Sequence, residues 1–220
     1  MSDLKIINHV CFDLDGTLIN SAKTIYLATK EALKKLNLPS DLPEKQFNGM
    51  IGKHFIDIFH ELNINLPVFA EFISVYKSVY FDFIDESTLY NNVNEVLAYF
   101  MNNNVKISLL TTKGQDQAEK IVNHFQLNEK LDYVMGRRDG IAHKPSPEPL
   151  LKICKNLNIS PAETLMIGDT ELDIQCGKNA SAKTCGVLYG YRDRAQIENE
   201  NPDFIISELN ELIKFFVGKL

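Results

Sequence analysis

The 220 residues are 45% hydrophobic and 24% charged, ordinary proportions for a globular protein, and the length allows one large domain or a core with a modest insertion. A net charge of −6 without any basic run argues against a nucleic-acid partner, and no apolar stretch approaches membrane-spanning length. Cys11, Cys154, Cys176 and Cys185 stand far apart with no C-x-x-C pair, which argues against zinc and a disulfide framework, and the opening MSDLKII lacks a signal-peptide pattern. A soluble cytoplasmic protein with reduced thiols is expected.

The first element lies within residues 6–18. Val10, Cys11, Phe12 and Leu14 are apolar, Asp13 and Asp15 are not, and Gly16 closes the run. This reads as a buried, parallel strand. Two carboxylates at its C-terminal end need a purpose, because burying unpaired charge is costly. In open parallel α/β sheets ligands bind in the crevice at that end. The i, i+2 spacing aims both carboxylates at one site as the strand unwinds, and Gly16 permits close approach to a ligand or a positive φ. Asp15-Gly16 also fits an ordinary turn. An EF-hand start does not fit: its glycine belongs at loop position 6 and an acid at 12, whereas Gly16 and Thr24 occupy positions 4 and 12.

Ser21 then reads as the cap of a helix with apolar positions Ile25, Ala28, Ala32, Leu33 and Leu36, broken by NLPSDLP at 37–43. Helical periodicity returns over 44–50, 55–62 and 68–84, and no strand stands out between Asn20 and Glu86. Residues 20–86 therefore read as a small helical insertion whose Phe and Tyr residues build its own core rather than a ligand site. The remaining core spans 1–19 and 87–220. There strand–helix alternation predicts helices at 94–102 and 115–125, strands at 105–111 and 133–135, and a helix opened by Ser146-Pro147-Glu148. Ser160 to Glu163 forms a capping box ahead of a strand at 164–167. A helix at 171–179, strands at 184–188 and 203–206, and a last helix at 208–217 complete the chain. Repeated βα units predict an α/β fold: a Rossmann-like parallel sheet with helices on both faces, plus the all-helical insertion after the first strand.

Further polar groups fall at predicted strand ends: Thr111-Thr112-Lys113-Gly114 after ISLL, Gly168-Asp169-Thr170 after TLMI with Asp173 a turn later, and Lys144 in the loop before a helix. Each has a plainer reading alone, as a turn, a solvated lysine or a helix cap. Together with Asp13 and Asp15 they offer a nucleophile candidate, a second carboxylate, hydroxyl and backbone donors, a cation and hard oxygen ligands. An anionic substrate facing Asp13, Asp169 and Asp173 would be strongly repelled, and Lys144 alone cannot neutralise it. A divalent cation can.

FDLDGTL, LLTTK, KPSPEP and MIGDTELD, in that order, resemble the four motifs of the haloacid dehalogenase-like hydrolase superfamily, and the insertion resembles its α-helical cap. DGTLIN-S and KPSPEP look most like phosphoglycolate phosphatase-type members. The resemblance implies an aspartyl-phosphate mechanism. Asp13 would attack phosphorus, being ionised at pH 7 without a separate base. Asp15 would protonate the leaving oxygen and then activate water. Mg²⁺ would be held by Asp13, the Asp15 carbonyl and Asp169, with Asp173 orienting metal waters or Lys144. Thr111 and nearby N–H groups would bind phosphoryl oxygens and Lys144 would offset transition-state charge. Gly16, Thr17, Thr112 and, from the cap, Gly52 and Lys53 would meet the substrate, a small phosphorylated metabolite such as 2-phosphoglycolate. The plainer and favoured reading of Lys53 is a solvated lysine at a helix start.

The chain departs from the usual pattern at Asn20, where Asp is common, at Thr112 in place of Asn, at Asn91-Asn92 in place of Pro-Gly, and at Ser181 in place of Gly. None removes a group from the mechanism. A sugar-phosphate mutase resembling β-phosphoglucomutase is the alternative within the same fold, and a non-catalytic phosphate-binding module the alternative outside catalysis.

Overall fold

A computed structural model describes residues 7–216. Ile6 and Val217, expected to begin the first stretch and end the last helix, lie outside the described residues, as does nearly all of the opening segment on which the localisation expectation rests. The chain divides into two compact units, one holding the chain up to Leu18 and from Leu89 onward, the other Ile19–Thr88.

The first unit is built on a six-stranded sheet: β1 (His9–Phe12), β4 (Lys106–Gly114), β5 (Tyr133–Arg137), β6 (Thr164–Gly168), β7 (Lys183–Val187) and β8 (Phe204–Ile206). The spatial order is β5-β4-β1-β6-β7-β8 and the pairings are parallel. Chain order thus reverses at β1, the crevice-forming arrangement of a Rossmann-like fold. All four β1 residues are buried, as an apolar run in the middle of a helix-covered sheet requires. Helices α5 (Val93–Asn102), α6 (Gln115–His124), α7 (Glu148–Leu157), α8 (Glu171–Asn179), α9 (Arg194–Asn199) and α10 (Glu211–Phe216) flank it. The four cysteines are buried free thiols, with burial pushing Cys176 up to about 12.

The second unit contains α1 (Ala22–Lys35), α2 (Glu44–Asn48), α3 (Phe55–Glu61) and α4 (Phe69–Tyr80), the last running into a 3₁₀ turn at Phe81–Glu86. Phe59, Phe72, Tyr76 and Tyr80 are buried, and Phe59 meets Phe72 edge-on at 4.8 Å, so these aromatics do form a core. The only strands at this insertion are the two-residue β2 (Ile19–Asn20) and β3 (Thr88–Leu89), which pair where the chain leaves and rejoins the sheet unit.

Several local expectations shift for identifiable reasons. Ser21 occupies the N-cap position of α1 without a side-chain capping bond. At α7 Pro147 takes the N-cap position, and Ser146 Oγ accepts the Glu148 N–H at 3.3 Å. The last helix starts at Glu211 because its carboxylate accepts the N–H groups of Ser207 and Glu208, both at 2.8 Å. Helix α9 was not expected: its six residues bury only Ile197, too few for an apolar period, and a capping box between Asp193 and Gln196 sets its start.

The central strand carries one polar side chain, His9, wholly buried between its neighbours. The Thr164 hydroxyl donates to the Ser160 carbonyl at 3.2 Å and so accepts from His9 Nδ1–H at 3.0 Å, leaving Nε2 to accept from Ser108 Oγ at 2.7 Å. The ring ties β4, β1 and β6 together in its neutral form. Burial, opposed weakly by Asp132, lowers its pKa from 6.5 to about 4. The unfolded chain therefore binds this proton at a higher pH than the native one, and stability falls as pH drops from about 6.5 towards 4. Between pH 7 and pH 5 the loss should be about 2 kcal/mol, measured as the difference in urea-unfolding free energy between wild type and His9→Gln, whose pH slope should be shallower.

Two departures from the family pattern sit where the backbone turns left-handed. Asn92 has φ +65° and Ser181 φ +61°, conformations that suit glycine and, next best, asparagine. Ser181 follows the α8 C-cap, the position glycine usually fills. Ser181→Gly should raise stability by about 1 kcal/mol, seen as a rise of about 2–4 °C in Tm.

Candidate active site

Parallel register brings three strand ends level. Phe12 lies opposite Leu109 on β4 and Ile167 on β6, and the Asp13 N–H donates to the Ile167 carbonyl at 2.9 Å. Asp13 thus leaves the sheet between Leu110 and Thr111 on one side and Gly168 and Asp169 on the other.

Lys144 enters this cluster from the loop ahead of α7. Its Nζ donates to Asp13 Oδ1 at 2.7 Å, to Asp173 Oδ1 at 2.6 Å and to the Leu110 carbonyl at 3.1 Å, which uses all three protons. All three side chains are buried, so Lys144 is not a solvated lysine. Burial disfavours the ammonium, but the two carboxylates outweigh it and raise the Lys144 pKa. It stays charged.

Asp173 is held from its other side. Its Oδ2 accepts from the Thr170 N–H at 3.1 Å and the Thr170 hydroxyl at 2.7 Å, a capping box at the start of α8. Gly168 makes room, since a Cβ there would stand 2.2 Å from Asp173 Cγ. Both Asp173 oxygens are therefore engaged, one of them by Lys144.

Asp169 is fully buried. Its Oδ2 accepts the Tyr191 N–H at 2.8 Å and its Oδ1 the Thr17 hydroxyl at 3.3 Å. Gly16 serves it twice: φ is +85°, and a Cβ would fall 2.2 Å from Asp169 Oδ2. Burial and then Asp173 push Asp169 up to about 7, against the Tyr191 N–H, Arg192 and Lys144. Asp13 is likewise raised well above the usual carboxylate range, by burial first, with Asp173 and Asp169 adding and Lys144 opposing.

These shifts describe a site short of positive charge. Asp13, Asp169 and Asp173 each offer a buried carboxylate oxygen within 4.8 Å of the others, with a single ammonium among them. A hard divalent cation fits this oxygen donor set and would stabilise the ionised forms that burial penalises. Each of the three already has a partner: Asp173 meets Lys144 and Thr170, Asp169 meets Tyr191 and Thr17, and Asp13 meets Lys144 through Oδ1.

The other expected residues fall as follows. Asp15 is buried, and Lys113 Nζ lies 3.2 Å from its Oδ2. Thr111 is buried, and its Oγ1 accepts the Lys113 N–H at 3.2 Å, with half-buried Thr112 between them. The Thr17 hydroxyl faces Asp169, and its carbonyl accepts the Tyr189 hydroxyl at 3.0 Å. Gly52 and Lys53 belong to the helical unit. Gly52 has φ +100°, and Lys53 Nζ pairs with Glu61 Oε1 of the same unit at 2.7 Å. Sequence reasoning gave no role to Lys113, Thr170 or the turn at Tyr191. Lys113 had a signal, lying two residues after Thr111 where a strand prolonged past its apolar run repeats its facing. The turn at Tyr191 had none.

Among known proteins, the haloacid dehalogenase-like hydrolase family profile matches residues 10–187. A pyrophosphatase PpaX of Bacillus cereus is 33% identical over 208 residues, covering 94% of this chain and 95% of the relative. A phosphoglycolate phosphatase of Aquifex aeolicus is 31% identical over 213 residues, covering 93% and 94%. The solved structure of a haloacid dehalogenase-like hydrolase from Streptococcus pneumoniae superposes with a TM-score of 0.85 at 23% identity over 96% of this chain and 98% of that one, a likeness of fold.

Proposed function

The chain belongs to the haloacid dehalogenase-like hydrolase family, and we propose that it is a Mg²⁺-dependent phosphatase working through a phosphorylated Asp13. One observation carries this reading: a buried ammonium, Lys144, clamped between Asp13 and Asp173 in a carboxylate cluster at the strand ends. Lys144 holds Asp13 Oδ1, which leaves Oδ2 to attack phosphorus. The bond from phosphorus to the leaving oxygen breaks, and that oxygen takes the electron pair and a proton from Asp15. Asp15 then takes a proton from the water that attacks the aspartyl-phosphate, returning free Asp13 and orthophosphate. The Thr111 hydroxyl and nearby N–H groups bind the transferring oxygens, and Lys144 balances their charge. Mg²⁺, held by Asp13, Asp169 and the Asp15 carbonyl, would supply electrostatic stabilisation to the phosphoryl group. Gly16 gives the substrate backbone access, Thr112 borders it, and Thr17 acts through Asp169.

The substrate in this reading is a small phosphorylated metabolite, selected with the help of the helical unit acting as a cap. Two candidates have support: 2-phosphoglycolate, from the relative named for it, and inorganic pyrophosphate, from the relatives named pyrophosphatase. A direct role for Lys53 in binding phosphoglycolate is weakened by its ion pair with Glu61, which a substrate carboxylate would have to displace.

Incubation with a ³²P-labelled phosphate donor and acid quench should trap label on the wild type and none on Asp13→Asn, since an amide is no nucleophile. Asp15→Asn should turn over about 10²–10⁴-fold more slowly. Label retained by Asp13→Asn would reassign the nucleophile. Exhaustive chelation should abolish hydrolysis of phenyl phosphate, and added Mg²⁺ should restore it. Full activity after metal removal would overturn the metal's part in the reading.

A further inference from the structure

Lys113 carries a nearly covered cation that the reaction above leaves without a task. Its Nζ lies 3.2 Å from Asp15 Oδ2, and the two side chains are only 9% and 10% exposed. Lysine is seldom buried unless paired, and removing two charges from water is repaid only when geometry is good. The backbone that carries it is fixed. The Lys113 N–H donates to Thr111 Oγ1 at 3.2 Å. Gln115 Nε2 donates to the Val134 carbonyl at 3.1 Å, and Gln115 Oε1 accepts the Gly136 N–H at 2.6 Å. These bonds pin the end of β4 to β5, so the ammonium is presented from a rigid strand end rather than a loose loop.

The two lysines therefore have different partners. Lys144 holds Asp13, the nucleophile of the proposed reaction, and Lys113 holds Asp15, the group beside the departing oxygen. We propose that Lys113 is a specificity-determining residue that favours leaving groups carrying negative charge next to the bridging oxygen, with inorganic pyrophosphate as the preferred case. This rests on the reading of Asp13 as nucleophile and Asp15 as leaving-group acid.

The chemistry follows from where the electron pair goes. When the bond between the transferred phosphorus and the bridging oxygen breaks, the leaving oxygen takes the pair. An alkyl or aryl ester places that charge on an otherwise neutral group, and Asp15 deals with it by giving its proton. Pyrophosphate releases orthophosphate, whose other oxygens are already anionic and come up against Asp15. Once Asp15 has given up its proton, its carboxylate alone would repel them. The Lys113 ammonium reverses that repulsion, and it does so in a site where charges interact more strongly than in water. In 2-phosphoglycolate the carboxylate stands further from the bridging oxygen and should benefit less.

The test compares kcat/KM for pyrophosphate, 2-phosphoglycolate and phenyl phosphate in excess Mg²⁺ for wild type, Lys113→Met and Lys113→Arg. The ratio of pyrophosphate to phenyl phosphate should fall at least about tenfold in Lys113→Met, the ratio for 2-phosphoglycolate should fall less, and Lys113→Arg should recover most of the loss. Equal losses on all three substrates, or no loss, would overturn the inference and leave Lys113 as a structural partner of Asp15. A larger fall for 2-phosphoglycolate than for pyrophosphate would overturn the preferred substrate. If Lys113→Met loses its native circular dichroism, Lys113→Gln carries the same comparison. A wild type active on phenyl phosphate but with an unaltered ratio in the variants sinks this inference alone, whereas a wild type inactive on all three sinks the phosphatase reading beneath it as well.

Discussion

Without Lys144 the strand ends would hold three carboxylates, Asp13, Asp169 and Asp173, buried and close together. Breaking a buried ion pair on one side typically costs about 3–5 kcal/mol because the surviving charge has no compensation. Here one ammonium serves two carboxylates at 2.7 and 2.6 Å, and its third proton goes to the Leu110 carbonyl. The cluster is folded around that bond set, and it remains under-neutralised even so. Burial first, and then the Asp173 charge, push Asp169 up to about 7. A divalent ion bound among these carboxylates would offset that cost and would also stabilise the fold, since a ligand that binds only the native state shifts the folding equilibrium.

The sheet makes so costly a cluster tolerable. Each carboxylate is placed by an element with its own reasons to form: β1 by a run of buried residues in the sheet centre, β6 by pairing with both β1 and β7, α8 by the Thr170 capping box. Gly16 and Gly168 then remove the side chains that would collide with Asp169 and Asp173. The strain of crowding charge at one edge is borne by packing elsewhere, as is common at functional sites. His9 shows the same sheet meeting the opposite requirement, a polar ring in the central strand that is satisfied on both nitrogens and kept neutral.

Much of this was legible in the sequence because it is local. A short apolar run broken by Asp13 and Asp15 and closed by Gly16 signals a strand end carrying chemistry, and the alternation after Val93 signals a parallel sheet. Helix α9 was not legible, since a six-residue helix burying one apolar side chain has no period to read. The Lys144 clamp was half legible: a lysine in a loop can be noticed, but its burial between residues 131 and 29 positions away follows only from the fold. The support of Asp169 by the Tyr191 N–H is a backbone contact and leaves no mark on residue choice. The Lys53–Glu61 ion pair was not read from the sequence either: two glycines three apart point to a loop, while a partner eight residues on is set by the fold.

Charge also constrains what the site can accept. Asp13, Asp169 and Asp173 bring three carboxylates against the one ammonium of Lys144, with Asp15 and Lys113 paired beside them. A divalent cation closes that difference, and a phosphate dianion opens it again. A substrate with a second anionic group adds further repulsion, so the local sign where that group lands matters more than the net total. Lys144 is already surrounded by Asp13, Asp173 and a carbonyl, with no proton left to offer. Lys113 is bound to Asp15 through a longer contact of 3.2 Å, in a pair not wholly sealed from solvent. Lys113 stands beside Asp15, the leaving-group acid of the proposed reaction, so substrate choice there becomes a question of electrostatics at a strand end.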